Sequence, residues 1–204
     1  MKANELKFKV ENYAIIILAA GNSSRLGSPK QLLTYGGKPL LQLAIDSAKE
    51  SGADQVIVVL GSSMQLIECK ISTEGILIIE NPNWENGLSS SIKAGLKTLT
   101  KISVDFDAII LMVCDQPFVD AKILKALIHE QAMTGCAIVG CSYDDTKGIP
   151  ALFHKSIFPE LLSLEGDTGA KKMFEKYKEV ASFVSFKDGG IDIDTLEDYK
   201  NLTK

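Results

Sequence analysis

An apolar run that breaks into a glycine-containing polar loop constrains this chain more than any other feature. Residues 13–18 are aliphatic apart from Tyr13, which predicts a buried first strand. The loop that follows, 19–30, holds two glycines, three serines, one arginine and one lysine. Glycines let the backbone bend and approach a ligand closely, and the two cations favour an anionic one. The segment therefore predicts a polyphosphate-binding loop at the end of a buried strand.

Two common phosphate-binding motifs do not fit this loop. A P-loop has four residues between its glycines and then Gly-Lys-Ser/Thr, whereas five residues separate Gly21 from Gly27 and Ser28 follows. A dinucleotide fingerprint has three glycines and a carboxylate after the second strand. The second apolar run here ends in Leu60-Gly61-Ser62. A different class of nucleotide loop is therefore indicated.

Short β-branched runs alternate with helical patterns along the chain. The runs predicted as strands are 13–20, 55–60, 76–79, 108–113 and 136–141. The patterns predicted as helices are 39–51, 63–72, 88–100, 121–133 and 195–202. This alternation predicts one α/β domain over 1–204, with a mostly parallel sheet and helices on both faces. After the polar turn at 144–148 the alternation weakens, and we expect an irregular β-rich region that covers the site.

Composition narrows the classes of partner. The 204 residues carry a net charge of −4, so neither nucleic acid nor an anionic membrane surface is an expected partner. The polar start, 1–12, is not typical of a secretory signal, and no apolar run is long enough to span a bilayer. The four cysteines lack zinc-finger or redox spacing. We therefore expect a cytoplasmic protein with reduced cysteines.

Two acidic clusters are candidate metal ligands. Asp115 directly follows the apolar run 109–114, so a rigid strand would present its carboxylate at the sheet edge, where Mg²⁺ prefers oxygen ligands. Asp192 and Asp194 lie two residues apart, on one side of an extended segment, and would complete that site. Asp194 also fits the N-cap of the helix 195–202. Asp120 is the better cap for the helix 121–133, which favours a metal-binding role for Asp115.

The loop resembles the signature of the nucleotidyltransferases related to molybdenum-cofactor guanylyl- and cytidylyltransferases. Their pattern, Leu-Ala-Ala/Gly-Gly-x-Ser-x-Arg-x-Gly-x-x-Lys, is present at every fixed position from Leu18 to Lys30. Further similar blocks are Asp115-Gln116-Pro117, the segment 81–96, the segments 148–153 and 164–171, and the segment 191–199. The resemblance implies a three-layer, Rossmann-like nucleotidyltransferase fold and an Mg²⁺-dependent transfer reaction.

The resemblance also implies roles for individual residues. The catalytic residues would be Arg25, Lys30 and Asp115. The nucleotide would contact Leu18, Ala19, Ala20, Gly21, Asn22, Ser23, Ser24, Arg25, Lys30, Gly87 and Ser91, with Ser91 at the base. Asp115, Asp192 and Asp194 would hold the metal. The acceptor would contact Gly148, Pro150, Gly166 and Asp167. A competing interpretation treats the serines 89–91 as helix caps and Gly166-Asp167 as a turn.

The branch of the family decides the expected substrates. Ala20, together with Pro29-Lys30-Gln31, favours the cytidylyl branch. The nucleotide would then be CTP, the acceptor molybdopterin carrying molybdenum, and a further partner the apo form of a molybdenum hydroxylase. Two alternatives remain open. One is a cytidylyl- or uridylyltransferase that acts on a sugar or polyol phosphate. The other is a non-catalytic chaperone that binds molybdopterin.

Overall fold

A central sheet of seven strands organises the protein. The computed structural model describes residues 8–23, 26–61, 63–102, 104–167, 169 and 171–203. The sheet strands are β1 (Tyr13–Ala19), β4 (Gln55–Leu60), β5 (Leu77–Glu80), β6 (Ala108–Val113), β7 (Ile138–Tyr143), β8 (Thr146–His154) and β9 (Ala181–Ser185). Two short strands, β2 (Thr34–Tyr35) and β3 (Lys38–Pro39), form a separate hairpin.

The sheet has the order β5-β4-β1-β6-β8-β7-β9. β1 pairs in parallel with β4 and β6, β4 pairs in parallel with β5, and β7 pairs in parallel with β9. Only β8 among these strands runs antiparallel to its neighbours, β6 and β7. The carboxyl ends of β1, β4 and β6 therefore meet at one edge, where ligands bind in open α/β sheets.

Helices cover both faces of the sheet. They are α1 (Leu40–Glu50), α2 (Met64–Glu68), α3 (Leu88–Leu99), α4 (Ala121–Thr134), α5 (Phe158–Ser163), α6 (Lys171–Lys176) and α7 (Leu196–Leu202). Alternate side chains of β1 point to opposite faces. Ile15 and Ile17 pack in one core with residues of α1, α2 and α4, while Ile16 packs in the other with residues of α3, α5 and α6. The predicted α/β architecture is confirmed.

The region after residue 144 contains strands, as predicted, but its predicted irregularity was wrong. Instead of an irregular cover, β8 inserts into the sheet between β6 and β7, and residues 151–153 are fully buried. The turn causes this difference. Asp144 and Asp145 both have positive φ, 42° and 57°, and their two-residue loop returns the chain directly alongside β7. The β2–β3 hairpin, β9, α5 and α6 were not predicted from the sequence, and α2 (Met64–Glu68) is shorter than the predicted helix 63–72.

Gly95 marks the closest approach of α3 to the sheet. A Cβ atom at this position would lie 2.7 Å from Cγ2 of Ile16, a stiff β-branched side chain in the middle of β1. We expect Gly95→Ala to lower the free energy of unfolding by about 1–2 kcal/mol, because overpacking outweighs the ~1 kcal/mol that alanine ordinarily gains over glycine in a helix. Chemical denaturation measures the effect. Lys97→Ala on the same helix should be near neutral, and a stabilised Gly95→Ala protein would contradict this packing.

Candidate active site

The predicted phosphate-binding loop leaves the sheet at the carboxyl end of β1. Leu18 and Ala19 belong to this strand and Ala20 directly follows it, and all three residues are buried. Gly21 and Asn22 are exposed, and Ser23 is half-buried. Ser24 and Arg25 lie outside the described residues. The described part of the loop thus places exposed backbone at the sheet edge beside β4 and β6.

Hydrogen bonds from residues 30 and 31 tie the loop down. Ser23 has positive φ, 51°, and its hydroxyl accepts a hydrogen bond from the Lys30 backbone N–H at 2.9 Å. The Gln31 side-chain amide donates to the carbonyl oxygens of Ala19 at 2.7 Å and Gly21 at 3.1 Å. Gln31 had been considered only as a marker of the cytidylyl branch and was not predicted as a site residue. Its signal was its position directly after the signature lysine.

Lys30 joins two carboxylates that are distant in sequence. Its ammonium donates to Oδ2 of Asp115 and, at 2.9 Å, to Oδ1 of Asp194. The side chains of Lys30 and Asp115 are only 16% and 15% exposed, whereas that of Asp194 is 55% exposed. Burial disfavours the charged ammonium, but the Asp115 carboxylate outweighs this effect and raises the pKa of Lys30. Lys30 therefore remains a cation at physiological pH.

A buried isoleucine fixes the second acidic segment. Ile193 is fully buried and its backbone N–H donates to the Asp115 carbonyl oxygen at 3.0 Å. The flanking Asp194 carboxylate meets Lys30, and Asp192 lines a cavity together with Asp115. The alternative in which Asp194 caps the last helix was wrong. Thr195 is the N-cap of α7 and forms a capping box with Asp198, because its hydroxyl accepts from the third residue of the helix.

Asp115 has an oxygen available for a cation. Its Oδ1 atom is buried and has no hydrogen-bond partner among the described residues. In that same part of the chain, no three metal-ligating side chains are grouped to hold an ion. Mg²⁺ commonly takes one or two carboxylates and completes its shell with water and substrate phosphates. The donor set fits such a metal, and the roles predicted for Asp115, Asp192 and Asp194 stay predictions.

The cavity beside Asp115 brings several predicted residues together. It has a volume of about 430 Å³ and is lined by Leu88, Val113, Asp115, Gln116, Tyr143, Gly148, Ile149, Asp167, Gly169 and Asp192. Two of the predicted acceptor residues, Gly148 and Asp167, thus share the cavity with the two carboxylates. Gly166 lines a neighbouring cavity instead, and Pro150 is buried within β8.

The start of α3 forms the wall between the two cavities. Gly87 has a φ of 88°, and a Cβ atom there would lie 2.5 Å from the Gly166 backbone. Ser91 is 4% exposed and accepts a hydrogen bond from Asn81 at 3.1 Å. Ser89 and Ser90, not Ser91, line the neighbouring cavity of about 520 Å³. The N-cap of α3 is Gly87, without a side-chain cap, so the capping alternative for the serines was wrong.

Gln116 and Tyr143 line the cavity, although neither was predicted to have a role in the site. The Gln116 side-chain amide donates to the Gly189 carbonyl oxygen at 2.8 Å, and Gln116 lines the cavity together with Tyr143 and Asp192. Tyr143 packs edge-on against Phe186, with ring centroids 6.5 Å apart. Gln116 and Tyr143 thus both lie against the segment around Gly189, which leads to Asp192. Tyr143 had no sequence signal, since its place depends on the hairpin between β7 and β8.

Cys114 directly precedes Asp115, and its thiol is unreactive. Its thiol is buried, and burial raises its pKa well above the usual range. A thiol that stays protonated is a poor nucleophile and a poor metal ligand. Cys114 is therefore a packing residue at the end of β6.

Asp192 is held in an unfavourable environment for a carboxylate. Its partial burial, followed by the nearby charges of Asp115 and Asp194, raises its pKa from 3.8 to about 6. The folded protein therefore binds a proton more tightly than the unfolded chain, and the free energy of unfolding falls as the pH rises from about 4 to 6. Above pH 6 the Asp192 carboxylate is ionised, and the free energy of unfolding is lowered by the full amount. Part of the Asp192 surface remains exposed to solvent, which screens these charges, so we reduce this amount to about 1 kcal/mol.

We expect Asp192→Asn to be more stable than the wild type by about 1 kcal/mol at pH 7.5 and equally stable at pH 4. Urea denaturation at both pH values measures the difference, in the absence of divalent metal. Glu74→Gln removes an exposed carboxylate in the loop before β5 and serves as the control, with no expected change. A stability loss in Asp192→Asn at pH 7.5 would contradict the crowding of the three carboxylates.

Comparison with known proteins identifies the family of this chain. The family model of the MobA-like NTP transferase domain matches residues 15–180. Nicotine blue oxidoreductase of Paenarthrobacter nicotinovorans is 27% identical over 92% of this chain and 94% of its own length. Purine catabolism protein PucB of Bacillus subtilis is 28% identical over 90% and 92%.

Solved structures give the same result. Rv0371c of Mycobacterium tuberculosis superimposes with a TM-score of 0.80 at 30% identity, covering 95% of this chain and 98% of that one. A second structure of that protein, described as a complex with manganese, has a TM-score of 0.75 at 28% identity and covers 94% and 98%. Within the described residues, no helix is both long and apolar enough to cross a bilayer. The chain belongs to the MobA-like NTP transferase family.

Proposed function

We propose that the protein transfers CMP from CTP to the phosphate of molybdenum-carrying molybdopterin and releases pyrophosphate. The observation that carries this proposal is the contact of Lys30 with Asp115 and Asp194 at the carboxyl edge of β1 and β6. A cation and a carboxylate with a free oxygen lie there beside a loop with exposed backbone. Phosphoryl-type transfer needs such positioning and charge neutralisation more than it needs a protein nucleophile.

The residues would divide the work along the sheet edge. The backbone of Gly21 and Asn22 would cradle the triphosphate, and Lys30 and Arg25 would neutralise its charge. A phosphate oxygen of the acceptor attacks the α-phosphorus, the bond from this phosphorus to the bridging oxygen breaks, and pyrophosphate leaves. No protein group needs to remove a proton, because the acceptor phosphate is already ionised.

A divalent cation would sit on Asp115, with Asp192 and Asp194 as further ligands, and Mg²⁺ would polarise the α-phosphate when bound. The free Oδ1 atom of Asp115 supports this role. The manganese complex of Rv0371c indicates that a relative of this chain accepts a divalent ion. Lys30 would remain near these carboxylates and contribute its charge to the leaving pyrophosphate.

The acceptor would occupy the cavity of about 430 Å³. Its apolar walls, Leu88, Val113 and Ile149, and its carboxylates suit a flat heterocycle with N–H donors. The name of the PucB relative points to purine catabolism, in which a molybdenum hydroxylase of the xanthine dehydrogenase type would be a receiving apo-enzyme. These features favour molybdopterin over a small sugar phosphate.

Pyrophosphate release tests the proposal. Purified protein with Mg²⁺ receives CTP, GTP, ATP or UTP together with molybdenum-loaded molybdopterin or, in separate reactions, a panel of sugar and polyol phosphates. We expect release with CTP and molybdopterin. Release with GTP would overturn the choice of nucleotide, and release with a sugar or polyol phosphate would overturn the acceptor. Pterin binding without any release would support the chaperone alternative.

A further inference from the structure

The side chain of Gln31 controls the orientation of two peptide groups in the loop after β1. Gln31 lies in the short 3₁₀ helix Lys30–Leu32 and is 2% exposed. Its Nε2 atom donates to the carbonyl oxygens of Ala19 and Gly21, at 2.7 and 3.1 Å. Because both partners are acceptors, the amide nitrogen must face them. One buried side chain therefore holds two carbonyl groups of the loop toward the protein.

Because the peptide bond is planar, holding a carbonyl group in place also fixes the direction of the N–H group that follows it. In a trans peptide the C=O and the following N–H point in opposite directions. When the carbonyl group of Gly21 faces Gln31, the N–H group of Asn22 points away from it. Asn22 itself is exposed at the sheet edge. The loop therefore presents an N–H donor outward where a carbonyl oxygen would otherwise repel an anion.

Gly21 makes such a restraint necessary. It has no side chain, and the space around the position of its absent Cβ atom is open to 4 Å. A glycine peptide rotates easily, and asparagine tolerates the backbone conformations that a rotated peptide requires. Without Gln31 the peptide between Gly21 and Asn22 would sample orientations with its oxygen outward. The bond from Gln31 removes that freedom.

The oxygen atom of the Gln31 amide indicates that the glutamine is not needed for stability. The Oε1 atom of Gln31 is buried and has no hydrogen-bond partner among the described residues. A buried unsatisfied acceptor destabilises the fold, and an apolar side chain of similar length would fill the space without that cost. The gain from the glutamine therefore lies in its two bonds to the loop.

We propose that Gln31 is a positioning residue that turns the loop amides toward the β- and γ-phosphates of the nucleoside triphosphate. This inference rests on the proposed function, since it assumes a triphosphate at the loop. Gln31 touches no reacting atom and acts through the backbone of Gly21 and Asn22. Loss of the Gln31 side-chain amide should therefore weaken binding of the terminal phosphates and leave the contacts to base and ribose intact.

Binding of a matched set of nucleotides tests this role. Equilibrium binding with Mg²⁺ is measured for each of the four nucleoside triphosphates and its monophosphate, on the wild type, Gln31→Met and Gln31→Glu. Methionine matches the length of glutamine, and the carboxylate of glutamate cannot donate. We expect the preferred triphosphate to bind about tenfold more weakly to both variants. The affinity for its monophosphate should be unchanged.

A second glutamine provides the control. Gln42 on α1 also makes two hydrogen bonds, to Asp46 and to the backbone N–H of Ser72, but it does not contact the loop. Gln42→Met should bind every nucleotide like the wild type, and thermal unfolding identifies any variant that has lost its fold. Equal loss of triphosphate and monophosphate binding, or no loss of either, would overturn the role of Gln31. If the wild type binds none of the four triphosphates, the proposed function and this inference both fail.

Discussion

The Lys30→Met variant is expected to lose about 10²- to 10³-fold in turnover, the cost of removing one preorganised charge-stabilising donor. Lys30 is the described cation that contacts both Asp115 and Asp194. Without the Lys30 ammonium, the departing pyrophosphate lacks one compensating positive charge. It also leaves the nearly buried Asp115 carboxylate unpaired, so thermal stability should fall. Steady-state turnover at saturating substrates, together with thermal unfolding, measures the two effects.

Lys38 is the matched control for this experiment. It also pairs with an aspartate, Asp46, at 2.6 Å, but the pair is exposed and lies outside the site. Exposed ion pairs contribute little, so Lys38→Met should keep nearly wild-type turnover and stability. Lys30→Arg tests the same position with its charge retained and should recover part of the activity. Near-wild-type turnover in Lys30→Met would remove this lysine from the mechanism.

The Asp115→Asn variant is expected to lose at least about 10²-fold in turnover at physiological Mg²⁺, because the amide is a far weaker ligand for a hard cation. Added metal should recover only part of the rate. The side chains have nearly the same shape, so the fold should remain. Turnover as a function of Mg²⁺ concentration, and Mn²⁺ binding by electron paramagnetic resonance, measure the change.

Asp120→Asn gives a control five residues further along the same loop. The Asp120 carboxylate caps α4 by accepting hydrogen bonds at 3.0 Å from the backbone N–H groups of Lys122 and Ile123. Asparagine is an equally good cap, so activity and stability should be unchanged. If Asp115→Asn shows unaltered Mg²⁺ dependence and Mn²⁺ binding, the carboxylate is only a partner for Lys30.

The parts of the fold that follow local rules could be predicted from the sequence. The run 13–18 is β-branched and apolar, as expected for a parallel strand buried on both faces, and it forms most of β1. Asp120 caps α4 because an aspartate directly before an apolar helical pattern supplies the missing acceptor. The alternation of strands and helices up to residue 143 gave the correct layers. These signals depend only on neighbours in sequence.

The insertion of β8 could not be predicted in the same way. Its apolar residues 151–153 are visible in the sequence, but their place between β6 and β7 depends on which strand edges remain open. The turn residues Asp144 and Asp145 indicate a hairpin only when their positive φ values are known. In the sequence the later half appeared irregular, because the strands β7, β8 and β9 follow a different order in the sheet than in the chain.

The geometry of the site depends on contacts between distant segments. Lys30 and Asp194 are 164 residues apart, and the buried Ile193 helps to bring the second acidic segment to Asp115. The sequence indicated the acidic residues and Lys30 separately, but not that the lysine lies between the two carboxylates. Gln31 is a similar case, because its role follows from the path of the loop above it. Residue types suggested the chemistry, and tertiary contacts decided which atoms meet.

The fate of the α-phosphate tests the central claim most directly. CTP labelled with ³²P at the α-position is incubated with Mg²⁺, molybdenum-loaded molybdopterin and the protein, and the products are separated. We expect the label on the pterin and one pyrophosphate for each labelled product. Lys30→Met should transfer the label about 10²- to 10³-fold more slowly. Label that stays in CTP, or that appears only in free CMP or CDP formed by hydrolysis, would contradict nucleotidyl transfer to this acceptor.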